Sequence, residues 1–141
     1  MTGIIVTGHG SFATGITSGL KLLAGEPTHY QMVDFLPEDS VDTLTEKLKA
    51  AAKRLEECQE IMIYADLTGG SPFNVSIRMK MEGDKPMEVI GGANLPMILE
   101  AYMARERAEN VEILARSTLE AGKNAAVWFQ VSGELDDDYE E

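Results

Sequence analysis

The stretch that decides the fold is Thr2–Gly3–Ile4–Ile5–Val6–Thr7–Gly8–His9–Gly10–Ser11–Phe12–Ala13. Its first six residues form a short apolar, β-branched run of the kind found in a strand buried on both faces. The run breaks at Gly8–His9–Gly10–Ser11, and apolar residues then recur at helical spacing through Ala13, Ile16, Leu20 and Leu23. A strand that turns on two glycines into a helix leaves the side chain between them at the carboxyl end of the strand, beside helix N–H groups that lack internal partners. That side chain is His9, an imidazole set where a phosphoryl group would be welcome.

Working outward, the helix of residues 11–24 stops at Gly25, with Pro27 beyond it. Thr28–Phe35 reads as a second strand. After Pro37, Asp39 or Ser40 can cap a helix from Val41 to about Glu57, with Val41, Leu44, Leu48, Ala51 and Leu55 on one face. Glu60–Ala65 is a third buried strand, ending at Asp66. Gly69–Gly70 then makes a tight turn, with Ser71 as N-cap and Pro72 at the first helical position. Met87–Ile90 is a fourth strand, and Gly91–Asn94 a third glycine-rich joint. Helices follow near 96–105 and 110–121, and Ala125–Val131 is read as a last strand.

This alternation predicts an α/β fold: an open, doubly wound, mostly parallel sheet with helices on both faces. Four parallel strands are expected, plus a C-terminal edge strand running antiparallel. Ligands of such sheets gather at the carboxyl ends of the strands. His9, Asp34–Phe35, Asp66–Ser71 and Gly91–Asn94 all fall on that rim. His29 opens the second strand and should lie at the other rim, roughly 20 Å away at about 3.3 Å per residue.

With 141 residues and a net charge of −12, the chain is sized for one domain, taken as residues 1–133. Glu134, Asp136, Asp137, Asp138, Glu140 and Glu141 crowd residues 134–141, which read as a solvated, disordered acidic tail. The acidity argues against nucleic acid, which needs a basic footprint, and suits a basic protein partner. The single cysteine, Cys58, forms no internal disulfide and fits a reducing cytosol. No run approaches the roughly 20 apolar residues of a membrane span, and the start lacks a signal peptide's basic region, so a cytoplasmic protein is expected. No spacing of His, Cys and carboxylates resembles a metal site, and no cofactor is called for.

The chemistry follows from residue types. Neutral imidazole attacks phosphorus well if one nitrogen is free and the ring is held, commonly by a carboxylate that accepts the other ring N–H. Asp66 is the candidate for that carboxylate. Ser71 and the amides around it can hold phosphoryl oxygens without a metal. Gly8, Gly10 and Ser11 of the first turn, Thr68, Gly69 and Gly70 of the second, and Asn94 of the third are candidate contacts for the phosphoryl group and a partner. An alternative also fits. Gly8, Gly10 and Ala13 match a dinucleotide-binding fingerprint, with Asp34 about 20 residues on, as in a small Rossmann-like protein. A histidine inside the tight turn, and the absence of chain for a substrate domain, weigh against it. A receiver-like domain phosphorylated on aspartate would want an acidic cluster at the end of the first strand, where this chain has His9.

The GHGSFA turn, VDFLPEDSVDTLTEKL, DLTGGSPFN and IGGANLPMILEAYMARE together resemble the IIA domain of the mannose-family sugar phosphotransferase system. The resemblance implies a phosphotransferase in which His9 takes a phosphoryl group from the phosphocarrier HPr and passes it to a IIB component, which here must be a separate chain. IIB in turn serves a membrane IIC/IID pair. It further implies that Asp66 orients the His9 ring, that Ser71 sits against the phosphoryl group, and that Leu23 and Phe35 border the partner surface. Members of this type are homodimers that exchange their last strand, for which Ala125–Val131 is placed.

Overall fold

The computed structural model describes residues 1–131, so the acidic run of 134–141 lies outside the described residues. Nine elements follow one another: β1 (Thr2–His9), α1 (Phe12–Ala24), β2 (Tyr30–Phe35), α2 (Val41–Arg54), β3 (Glu60–Ala65), α3 (Ser71–Glu82), β4 (Met87–Ile90), α4 (Leu95–Ala104) and α5 (Val111–Asn124). The four strands form one sheet in the order β2-β1-β3-β4, and every pair is parallel. The order reverses between β1 and β3, where a doubly wound sheet opens its binding crevice.

The period of two along β1 divides the core. Ile4 and Val6, with Met62 and Tyr64 of β3, pack against Ala13 and Leu20 of α1, Met97, Ile98 and Ala101 of α4, and Leu114 of α5. Ile5, with Ile61 and Ile63, faces Leu44, Leu48, Ala51 and Leu55 of α2 and Val75 of α3. Both faces of the central strands are thus covered, which is why β1 and β3 read as unbroken apolar runs rather than alternating ones.

Several boundaries differ from the sequence reading, each for a local reason. β1 continues through Gly8 and His9, because both residues stay in register with Asp34 and Phe35 of β2. His9 is therefore the last residue of a strand, not part of a free turn. β2 begins only at Tyr30: His29 adopts φ 51°, and the carbonyls of Thr28 and His29 accept from the Arg105 guanidinium at 2.6 and 2.9 Å. Ser40, not Asp39, caps α2, accepting the Thr43 N–H at 3.1 Å. Asp39 instead accepts from the Leu36 N–H and from Lys47, an arrangement that holds its carboxyl below the usual range. α2 ends at Arg54, and α5 runs on to Asn124.

The C-terminal edge strand expected over Ala125–Val131 is not part of the sheet. β4 remains an edge, and the segment leaves α5 exposed to solvent, with Trp128 at 80% and Val131 at 93% of full exposure. A strand joins a sheet by bonding to a neighbouring strand, and among the described residues the sheet consists of β1, β2, β3 and β4. Among the described residues no helix is long and apolar enough to cross a membrane.

Candidate active site

His9 and Asp66 stand at the carboxyl ends of β1 and β3, the two strands that flank the reversal of strand order. The Asp66 N–H donates to the Thr7 carbonyl at 3.2 Å, which carries the β1–β3 register one residue past the strand and sets the carboxylate beside His9. Asp66 Oδ2 lies 2.8 Å from the His9 backbone N and 2.9 Å from its Nδ1. A carboxylate only accepts, so both nitrogens donate: in the neutral ring Nδ1 carries the proton and Nε2 keeps its lone pair. The other oxygen, Asp66 Oδ1, is buried without a hydrogen-bond partner among the described residues. Both hydrogen bonds of this carboxylate therefore go to His9.

The ring is accessible. The His9 side chain is 45% exposed, against 16% for Asp66. Phe35 packs against one side of it, edge to face, with centroids 5.9 Å apart. On the other side the backbone comes close. A Cβ at Gly70 would stand 2.7 Å from Cε1 and 3.3 Å from Nε2, so only glycine lets the start of α3 approach the reactive nitrogen. Gly8 meets the same constraint, since a Cβ there would come within 2.5 Å of the Phe12 ring and 2.8 Å of Asp66 Cγ.

Gly70 is the N-cap of α3, with Pro72 in the first turn. Its own N–H is taken by the Leu67 carbonyl, and the first helical bond runs from Asn74 N to Gly70 O at 2.9 Å. Ser71 and Phe73 thus carry the unpaired amides of that helix start, Pro72 having none. The Ser71 hydroxyl bonds to no described residue, and the Asn74 amide holds the turn by donating to Gly69 O at 3.0 Å. The arrangement is an exposed imidazole facing a helix start with the unpaired amides of Ser71 and Phe73, which suits an incoming phosphoryl group.

The family described as PTS system fructose IIA component matches residues 3–118, a span that contains β1 from its second residue, the His9–Asp66 pair and all five helix starts. The chain belongs to this family of phosphotransferase-system IIA components. The mannose-specific EIIAB component of Escherichia coli (strain K12) is 34% identical over 120 residues, covering 85% of this chain and 37% of that protein. This chain therefore spans well under half the length of that relative. The fructose-specific EIIA component of Bacillus subtilis (strain 168) is 31% identical over 114 residues, covering 81% of this chain and 77% of that one. A crystal structure of the phosphotransferase system component EIIA from Streptococcus agalactiae superposes with a TM-score of 0.85 at 33% identity, covering 92% of this chain and 98% of that one.

Within this IIA fold the residues singled out from sequence separate into groups. His9, Asp66, Gly8, Gly70 and Phe35 converge as described. Gly10 and Ser11 lead directly into α1, and Gly10 N donates to Phe35 O at 2.7 Å. Thr68 and Gly69 stand exposed on the same turn as Gly70. Ser71 is on the rim, but as the first residue of α3 rather than its cap. Leu23 is set apart: it lies in the last turn of α1, about 16 Å along the helix from Phe12. Asn94 is committed elsewhere, because its oxygen caps α4 at Met97 N and its amide donates to Gly122 O, each at 3.0 Å.

The dinucleotide reading does not survive the geometry. It needs Asp34 open to a ribose, but Oδ1 accepts the Thr14 N–H at 3.1 Å and Oδ2 the Thr14 hydroxyl at 2.8 Å. Asp34 is a helix cap supplied across the sheet. Sequence reasoning passed over Thr14, Phe12 and Asn74. Asn74 carried a signal, since an amide just past a Gly-Gly turn is well placed to close it.

Proposed function

We propose that this chain is the IIA component of a sugar phosphotransferase system, accepting a phosphoryl group on His9 Nε2 from phosphorylated HPr and passing it to a IIB component. The observation that carries the reading is the pairing of Nδ1–H with Asp66, which leaves Nε2 free, exposed and facing the start of α3. The Nε2 lone pair attacks phosphorus as the bond from phosphorus to the HPr imidazole breaks, and the departing nitrogen keeps the electron pair. The His9 ring then carries positive charge, which the Asp66 carboxylate stabilises through Nδ1–H. Ser71 and the unpaired amides of the Thr68–Gly69 turn and of Phe73 hold the phosphoryl oxygens, with no cofactor or metal. Transfer to IIB reverses these steps, and IIB serves the membrane IIC/IID pair.

Two further parts of the reading concern assembly. The component works in the cytoplasm as a homodimer in which Ala125–Val131 of each chain pairs along the other's exposed sheet edge. The exposed Val127, Trp128 and Val131 favour that, because an apolar segment of this kind gains by being covered. The relatives named for mannose and for fructose are nearly equally identical to this chain, which supports placing sugar choice in other subunits.

The test is incubation of the chain with phosphoenolpyruvate, enzyme I and HPr, followed by mass spectrometry. One added phosphoryl group, labile in acid and lost in His9→Ala, is the expected result. Undiminished labelling of His9→Ala would remove the proposal.

A further inference from the structure

The carboxylate of Asp34 has no part in the relay just described, yet it belongs to the same row of the sheet. Gly8 pairs with Asp34 on β2, and on its other side faces Asp66, one residue past the Thr7–Ala65 pair. Two carboxylates therefore flank the strand that carries His9, their Cα atoms about 10 Å apart at two strand spacings. Asp66 reaches His9. Asp34 turns instead to the start of α1, where it binds both the amide and the hydroxyl of Thr14. Lys47 does not neutralise it, because its ammonium bonds Asp39 at 2.6 Å and reaches only the backbone carbonyl of Asp34, at 3.2 Å.

A helix N-terminus attracts one anion well and a second less well, because the first cancels much of the positive end of the dipole and repels the newcomer. Two helices begin beside His9. At α3 the N-cap is Gly70, without a side chain, and the first turn holds no acidic residue. At α1, Ser11 makes no side-chain cap, and the cap comes from the Asp34 carboxylate.

From this asymmetry we infer that Asp34 is a positioning residue that weakens the hold of the site on the phosphoryl group, by filling the start of α1 with fixed negative charge and leaving α3 as the one helix start open to phosphate. The inference rests on the relay reading above. A carrier that must give its phosphoryl group away gains from a site that does not bind it too firmly, and a preinstalled carboxylate achieves this without disturbing His9 or Asp66.

Asparagine caps helices about as well as aspartate and has the same shape, so Asp34→Asn removes the charge and keeps the cap. The experiment mixes radiolabelled phospho-HPr with the full chain and measures the equilibrium distribution of label, with thermal unfolding followed in parallel. Asp34→Asn is expected to move the equilibrium toward the phosphorylated chain by roughly three- to tenfold, and to slow passage of the group to IIB. Thr14→Val removes a hydroxyl donor but leaves the charge, and should keep the equilibrium within about twofold of wild type. A purely structural cap would move neither equilibrium, or would shift both variants away from the phosphorylated chain. An Asp34→Asn equilibrium that is unmoved, or moved toward phospho-HPr, overturns the inference. Should that variant fail to fold, Asp34→Ser, whose hydroxyl can still accept from the Thr14 amide, decides by the same criterion. Failure of wild-type chain to take label at all would instead sink the relay reading.

Discussion

At the scale of single residues, reactivity depends on what is missing as much as on what is present. Gly70 has no side chain, and the start of α3 therefore comes within reach of His9 Nε2. Gly70→Ala would put a methyl group 2.7 Å from Cε1, and the ring would have to tilt off Asp66 to make room. We expect that variant to accept phosphate at least tenfold more slowly in a stopped-flow assay with phospho-HPr, with little loss of stability, since a half-exposed side chain can move without opening a cavity. Asp66→Asn should slow transfer by about 10²-fold or more: the amide can present its NH₂ to Nδ1, favouring the wrong tautomer, and it lacks the charge that steadies the phosphorylated ring. Near-native circular dichroism with an unchanged transfer rate would reduce Asp66 to a structural cap. The sequence exposed His9 and Asp66 because each ends a recognisable strand. It did not expose the pairing of Thr14 with Asp34, because a cap borrowed from a neighbouring strand leaves no local pattern.

At the scale of elements, each helix starts on an identifiable device, and the devices differ in what they support. Ser40 and Asn110 cap α2 and α5 through their own side chains, while Asn94 caps α4 and ties it to α5 through Gly122. Asn94→Ala should therefore cost stability, about 1–2 kcal/mol in urea denaturation, for the lost cap and the lost tie to Gly122, whose carbonyl keeps the Ala125 N–H. Phosphoryl acceptance at His9 should remain within about threefold of wild type by the same assay, because neither amide atom is available to a phosphoryl group. This separates Asn94 from Ser71, although both follow a glycine-rich joint at the same rim. The strands were legible as apolar runs, and the helices as 3.6-residue periodicities. Their boundaries were not, where long-range bonds decided them: Arg105 draws in the carbonyls of Thr28 and His29, and β2 starts two residues later than its side chains suggest.

At the scale of the whole molecule, two buried tyrosines join opposite sides of one helical layer to the sheet. Tyr30 shares a 2.8 Å hydrogen bond with Thr17 of α1, and Tyr64 a 2.7 Å bond with Thr118 of α5. Burial pushes the Tyr30 hydroxyl up to about 12, and raises Tyr64 as well. Since the folded pKa lies above the unfolded value of about 10, the contribution of Tyr30 is complete below about pH 10 and is lost as pH rises toward 12. Tyr30 alone should lower stability by about 2–3 kcal/mol across that window, measured as a fall in the urea midpoint that is lessened in Tyr30→Phe. The proposed strand exchange also belongs to this scale. Trp128→Glu should shift sedimentation from dimer to monomer while leaving the fold of the single chain unchanged; a dimer that persists would place the interface elsewhere. What the sequence by itself determined was local: apolar runs, helix periods, glycine turns, and hence a parallel α/β sheet with its chemistry on one rim, because these follow from near neighbours in the chain. What only the tertiary structure decided was which side chains on that rim meet. Asp66 turned to His9 while Asp34 turned to Thr14 and Asn94 to Gly122, because strand order and register, fixed by packing across the whole core, set who stands beside whom.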